Sequence, residues 1–139
     1  MKVVVNKVHG GFGISEEAEK AYLKRKGLEQ FLYTDKRDAD MHCTGFVRYT
    51  GQEHAFITYT FTKDMGDSFE DFPNNDESYF YSHDIPRDDK DLIAVVEEMG
   101  SAASGRFAKL EIVEIPDGVE WEIEEYDGLE WIAEKHRTW

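Results

Sequence analysis

The chain opens on an apolar run with no polar face. Val3 and Val5 alternate with Val4 and Asn6, so residues 2–8 are expected to form a strand partly buried on both sides. Ser15 then stands before Glu16 and Glu17, which suits a helix cap and a first turn, and Gly27 suits a stop. A helix is expected from Glu16 to about Lys26. Its apolar face is Ala18, Ala21, Tyr22 and the stem of Arg25, thin enough to put the helix at the rim of a core.

The middle reads as β. "FLYT" (31–34) is a short strand, and "TGFVRYT" (44–50) and "HAFITYTFTK" (54–63) flank Gly51-Gln52-Glu53 as a hairpin. Between Asp64 and Ser78 lie six carboxylates and no basic residue. With Pro73 and Asn74-Asn75 this stretch reads as an acidic loop. "YFYSHDI" (79–85) reads as another strand. Asp88 or Asp89 then caps a second helix, with Leu92, Val95, Val96 and Met99 at i, i+3, i+4 and i+7 and Gly100 at its end. "RFAKLEIVEI" (106–115) is a strand and Pro116-Asp117-Gly118 a turn. "VEWEIEEY" (119–126) is a second strand, with Val119, Trp121 and Ile123 on one side and Glu120, Glu122 and Glu124 on the other. Asp127-Gly128 turns again. The closing "LEWIAEKHRTW" fits a strand or a short helix. The pattern implies one domain over residues 1–139, of α+β class: a mainly antiparallel sheet with two short amphipathic helices.

Composition narrows the class. The 139 residues are 40% hydrophobic, with nine Phe, seven Tyr and three Trp, as a globular chain requires. The one cysteine, Cys43, rules out an internal disulfide framework and favours a reducing setting. No apolar run approaches the ~20 residues of a membrane span, and no signal peptide precedes Val3, so a soluble, cytoplasmic protein is expected. The net charge of −14 argues against general nucleic-acid binding, which needs a basic surface. It leaves room for a small anionic ligand held by a few arginines. It also suits an acidic surface that imitates a nucleic acid.

Candidate chemistry is sparse. "HGGFGIS" joins strand to helix, but it lacks the Lys-Ser/Thr of a P-loop and the spacing of a dinucleotide fingerprint. Glu16 and Glu17 would occupy the positive helix end and repel a phosphate. A tight turn with Phe12 tucked into the core is the simpler reading. Ligand contact by the loop backbone, at Gly11, or by the Phe12 ring stays open. The five histidines show no metal spacing, and no nucleophile–base signature stands out, so neither a metal site nor an enzyme is expected. Leu110 to Glu134 holds ten acids and no Lys or Arg. Its face is either solvated, or a surface for a basic partner, or an oligomer interface using Trp121 and Trp131. Basic and aromatic groups border it: Arg106, Phe107 and Lys109 before, and Lys135, His136, Arg137 and Trp139 after.

Several stretches together resemble a family of small phage-encoded proteins. They are "VNKVHGGFGIS", "HDIPRDD" leading into "LIAVVEEMG", "ASGRFAKLEIVEIPDGVEWEIEEYDG" and "EKHRTW". Residues 29–78 carry no motif of that family. The resemblance is to the Thoeris anti-defence sponges. It implies a protein that binds a cyclic ADP-ribose-type signal made by bacterial TIR-domain enzymes and holds it uncleaved in the host bacterial cytoplasm. It also implies an oligomer, with a second site for cyclic oligonucleotides in some members. A homo-oligomer built on dimers is expected from the tryptophans as well, since Trp131 and Trp139 look exposed. For such a ligand the border residues suggest roles. Arg106, Lys109 and Arg137 would neutralise phosphates, Phe12 or Phe107 would stack on the base, and Asn6 and Asp117 would bond base or ribose. No cofactor is expected. The competing class is an acidic protein–protein inhibitor, a nucleic-acid mimic aimed at a host defence or transcription protein.

Overall fold

The computed structural model describes residues 1–51, 57–73 and 78–135. His54, His136, Arg137 and Trp139 therefore lie outside the described residues. The described residues form two helices and nine strands in antiparallel sheets, an α+β fold. They pack as two compact units. One comprises residues 1–26 and 82–139, the other residues 27–81.

The first unit is built on β1 (Lys2–Asn6), which pairs antiparallel with β7 (Leu110–Glu114), Lys2 opposite Glu114 and Asn6 opposite Leu110. Val3, Val4 and Val5 are fully buried, because the helix Lys90–Met99 and the strand Leu129–Glu134 both pack against this strand. Each buried valine contributes roughly 1.5–3 kcal/mol. Helix α1 (Glu16–Arg25) starts where the sequence places it, with the Ala18 N–H donating to Ser15 Oγ at 3.1 Å. Its buried face is Ala18, Tyr22 and Leu23. Leu23, not Ala21, completes it. Helix α2 (Lys90–Met99) is capped by Asp89, whose side chain accepts from the Asp91 and Leu92 N–H groups, and it buries Leu92, Val95 and Val96. Lys26, at the end of α1, reaches Asp89 at 3.1 Å and Asp91 at 2.8 Å. Finally, β8 (Trp121–Tyr126) and β9 (Leu129–Glu134) form a hairpin across Asp127-Gly128.

Two expectations change here. The strand expected from Arg106 begins only at Leu110, because Arg106 and Phe107 lie in a turn closed by the Ala108 N–H on the Gly105 carbonyl at 3.1 Å. The hairpin expected between 106–115 and 119–126 does not form either. β7 takes β1 as its partner and β8 takes β9. The Pro116-Asp117-Gly118 segment thus passes between two sheets instead of closing one.

The second unit is a five-stranded sheet in the order β5-β3-β2-β4-β6. Its strands are β2 (Phe31–Arg37), β3 (Cys43–Arg48), β4 (Thr58–Phe61), β5 (Ser68–Phe69) and β6 (Tyr79–Phe80). The expected pairing of 44–50 with 54–63 is overturned, since β2 lies between β3 and β4 and bonds to both. Part of the supposed acidic loop is β5, which brings Phe69 onto β3. The expected strand at 79–85 ends at Phe80, and Ser82–Asp84 form a single 3-10 turn. Tyr33, Phe46, Tyr59, Phe61, Phe69, Phe72 and Tyr79 interlock at centroid distances of 5.0–5.7 Å. Such ring pairs contribute about 0.5–1.5 kcal/mol each beyond their burial. No described helix is long and apolar enough to cross a membrane.

Candidate functional site

Of the candidate residues, Gly11 and Phe12 lie in one turn and Arg106 and Phe107 in another, and within the first unit these two turns meet each other and the Asp127-Gly128 turn. The Gly10 N–H donates to the Asp127 carbonyl at 3.2 Å, and the Gly105 N–H donates to the Gly13 carbonyl at 2.9 Å. Turns at 9–13, 105–108 and 126–128 therefore share one corner, although about a hundred residues separate the first from the other two. The contact is close enough to demand glycine. A Cβ on Gly128 would collide with the backbone nitrogens of Gly10 and Gly11, and one on Gly10 would stand 2.5 Å from the Phe107 carbonyl oxygen.

Beneath the corner lies a polar network. Asn6 is fully buried, and its side chain and its N–H are all hydrogen-bonded. Its Nδ2 donates to the Val8 and Gly128 carbonyls, both at 2.7 Å, and its Oδ1 accepts from the Lys109 N–H at 2.9 Å. Its own N–H donates to Glu130 Oε1 at 2.8 Å. Glu130 is buried as well, and Arg87 grips it with both terminal nitrogens, at 2.6 and 2.9 Å. That fork is the strong, planar form of a carboxylate–guanidinium pair. The same guanidinium lies 3.6 Å from the centroid of the Phe12 ring, and His83 meets that ring edge-on at 5.9 Å. Phe12 is buried, as the tight-turn reading expects, and Arg87 covers one of its faces.

Above the corner the groups are exposed. Phe107 is 67% accessible and Tyr126 72%. The ring of Phe107 points outward because its residue belongs to a turn, whereas strand alternation would have turned it in. Arg106 and Lys109 are exposed beside it, and neither has an ion-pair partner among the described residues. The Arg106 guanidinium lies 5.3 Å from the Phe107 ring centroid. Over Gly11 nothing stands within 4 Å of where a side chain would begin.

The structure thus brings Gly11, Arg106, Phe107 and Lys109 together at the surface, with Asn6 and Phe12 below them. It does not bring Asp117 there. That residue follows the far end of β7, where its carboxylate, 91% exposed, meets the N-terminal ammonium at 2.9 Å. Arg137 lies outside the described residues. Sequence reasoning missed Arg87, Glu130, His9 and Tyr126. For Tyr126 a signal existed: a large ring directly before an Asp-Gly hairpin turn sits at a strand end, where burial is hard to arrange.

Elsewhere the second unit holds a polar groove of about 340 Å³ lined by Lys36, Thr44, Gly45, Phe46, Ser68, Phe69 and Glu70. Asp38, Asp40 and His42 bring ligand atoms within 4.8 Å of one another, all three exposed. Asp38 Oδ1 already accepts from the Asp40 and His42 N–H groups, which accounts for the cluster as a turn. Ionisation is perturbed where α1 meets α2, and also around Tyr33, Arg48 and Asp64 in the second unit. Lys26 bonded to Asp91 and Asp89 is raised above the ordinary lysine range. Asp91 is held below the usual carboxylate range by Lys26 and then Arg25. Burial works against ionisation of Asp89, yet the Asp91 N–H, Lys26 and the Leu92 N–H outweigh it and hold that group low too. These charges pin two helices and lie outside the glycine corner. No protein-family model, curated protein or solved structure matches the chain.

Proposed function

We propose that this chain is a phage-encoded sponge. It holds a small cyclic nucleotide, of the cyclic ADP-ribose type, on the outer side of the glycine corner and does not cleave it. One observation carries the reading. Two of the stretches that resemble the anti-defence family, one through "GGFG" and the other through its "GRFAK" and "YDG", are about a hundred residues apart in sequence and meet at one place. Sequestration asks for rings and phosphate donors held in position and needs no nucleophile. Arg106 and Lys109 supply the charge, Phe107 a stacking face, and Gly11 bare backbone with open space above it. In this reading the protein acts in the host bacterial cytoplasm and blocks anti-phage signalling. It assembles as a homo-oligomer built on dimers, with the exposed ring of Trp131 supporting that assembly.

A second reading has its own observation. The outer face of the β8–β9 hairpin carries Glu122 and Glu124 beside Trp131, whose indole N–H donates to Glu124 at 3.1 Å. An acidic surface with a ring at its centre suits a protein decoy that covers a basic groove. Binding to a basic protein with a steep salt dependence favours the decoy.

The sponge reading is tested by release. The protein is incubated with cyclic ADP-ribose isomers, freed of unbound ligand and heat-denatured, and the supernatant is analysed by mass spectrometry. Stoichiometric, intact ligand is expected. No ligand, or a linear product, overturns the proposal.

A further inference from the structure

Tyr126 and His9 belong to none of the roles so far assigned, yet both stand at the glycine corner. Tyr126 ends β8, directly before a turn in which Asp127 and Gly128 both have positive φ, 49° and 85°. That tight hairpin turn holds the ring at a fixed place on the rim. The ring is 72% exposed, and its hydroxyl has no hydrogen-bond partner among the described residues. The His9 ring meets it edge-on, with centroids 6.2 Å apart and planes at 79°. Phe107 also stands against Gly10, its carbonyl oxygen 2.5 Å from where a Gly10 Cβ would be. Two exposed rings therefore belong to residues at one stretch of bare glycine backbone.

His9 has a defined polarity there. Its Nδ1 lies 3.2 Å from two backbone carbonyl oxygens, those of Tyr126 and Asp127. A carbonyl oxygen only accepts, so Nδ1 carries the proton and donates, and in the neutral ring Nε2 is left as an acceptor. The histidine side chain is 56% exposed, which keeps that acceptor open to a ligand donor.

We infer that Tyr126 and His9 form the second wall of the ligand site, Tyr126 packing on the purine–ribose portion opposite Phe107 and His9 Nε2 accepting from the exocyclic amine of the purine. The ligand class is accordingly an aminopurine cyclic nucleotide, and a hypoxanthine counterpart, which presents a carbonyl where adenine presents an amine, meets acceptor against acceptor. This inference rests on the sponge reading of the same corner.

The test measures dissociation constants for a cyclic ADP-ribose isomer and its hypoxanthine analogue, by calorimetry, on the full chain. Tyr126→Ala is expected to weaken binding of the adenine ligand by about ten- to a hundredfold, as loss of a base-stacking ring does. Tyr126→Phe, which keeps the ring, is expected to recover most of the affinity that Tyr126→Ala loses. His9→Ala narrows the preference for the adenine over the hypoxanthine ligand by about tenfold. Thermal melts without ligand check that the variants fold, as such exposed positions should. If the parent protein and its variants bind equally well, or the parent does not distinguish the two bases, the second wall is refuted while the sponge reading stands. If the parent binds neither ligand, both fall together. Arg106→Ala in the same series separates loss of the phosphate contact from loss of the wall.

Discussion

The two sides of the glycine corner use similar residue types to opposite ends. Below it, an arginine, a glutamate, an asparagine and a phenylalanine are packed so that each polar side chain meets a partner: Arg87 on Glu130, Glu130 on the Asn6 N–H, Asn6 on three further backbone groups. Above it, an arginine, a lysine and two rings face water, with no ion pair to hold either charge among the described residues. Residue type alone does not separate structure from recognition here. Saturation of hydrogen bonds does. A fully satisfied group is part of the frame, and an unsatisfied, exposed cluster on a rigid frame is what a ligand can use.

That contrast breaks first at the buried pair. Removing one member leaves the other charged and unpaired in the interior, which typically costs about 3–5 kcal/mol. Arg87→Ala and Glu130→Ala should therefore each lower the urea midpoint steeply. The double change Arg87→Met with Glu130→Leu should lose less than the two singles together. If either single change leaves the midpoint where it was, the network is not the frame described. The outer side should behave in reverse. Arg106→Ala removes a charge-assisted contact of roughly 1.5–3 kcal/mol, so ligand binding should weaken by about ten- to a hundredfold. Its melting curve without ligand should stay where the parent's is, because surface changes usually lie within about 0.5 kcal/mol.

Acid gives a smaller effect at a separate place. Asp89 and Asp91 have folded values below their ordinary ones, Asp91 chiefly through Lys26. A carboxylate of that kind contributes stability that is present above its unfolded value, near pH ~4, and is lost as pH falls through the lowered folded value. Stability should accordingly fall below about pH 4, and Lys26→Met should flatten that fall. An unchanged acid profile in that variant would detach the charges from helix docking. The smallest effect is expected at Asp117. It stands at the opposite end of β7 in an exposed pair, so Asp117→Ala should change neither ligand affinity nor stability by more than about 0.5 kcal/mol.

Local features of the fold were legible in the sequence. Ser15 and Asp89 cap their helices because capping depends on the next three residues only. Asp127-Gly128 turns a hairpin for the same kind of reason. Partners across the chain were not legible. β7 pairs with β1, and β2 inserts between β3 and β4, through registers that no short pattern encodes. At the site, the exposed Arg106 and Lys109 were readable as basic groups bordering an acidic stretch. Asn6 was open to misreading, because a polar residue ending an all-apolar buried strand has to find its partners inside the fold. Glu130 could not be told apart from the nine other acids of its stretch, since burial of one carboxylate depends on an arginine 43 residues away.

The most direct test of the corner is amide mapping. A ¹⁵N-labelled protein is titrated with a cyclic ADP-ribose isomer, and backbone amide shifts are followed residue by residue. The largest saturable shifts are expected at Gly10, Gly11, Phe107 and Tyr126, with small ones at Asp117 and along the groove of Lys36, Gly45 and Glu70. Saturable shifts confined to that groove, or none at all, would contradict that expectation.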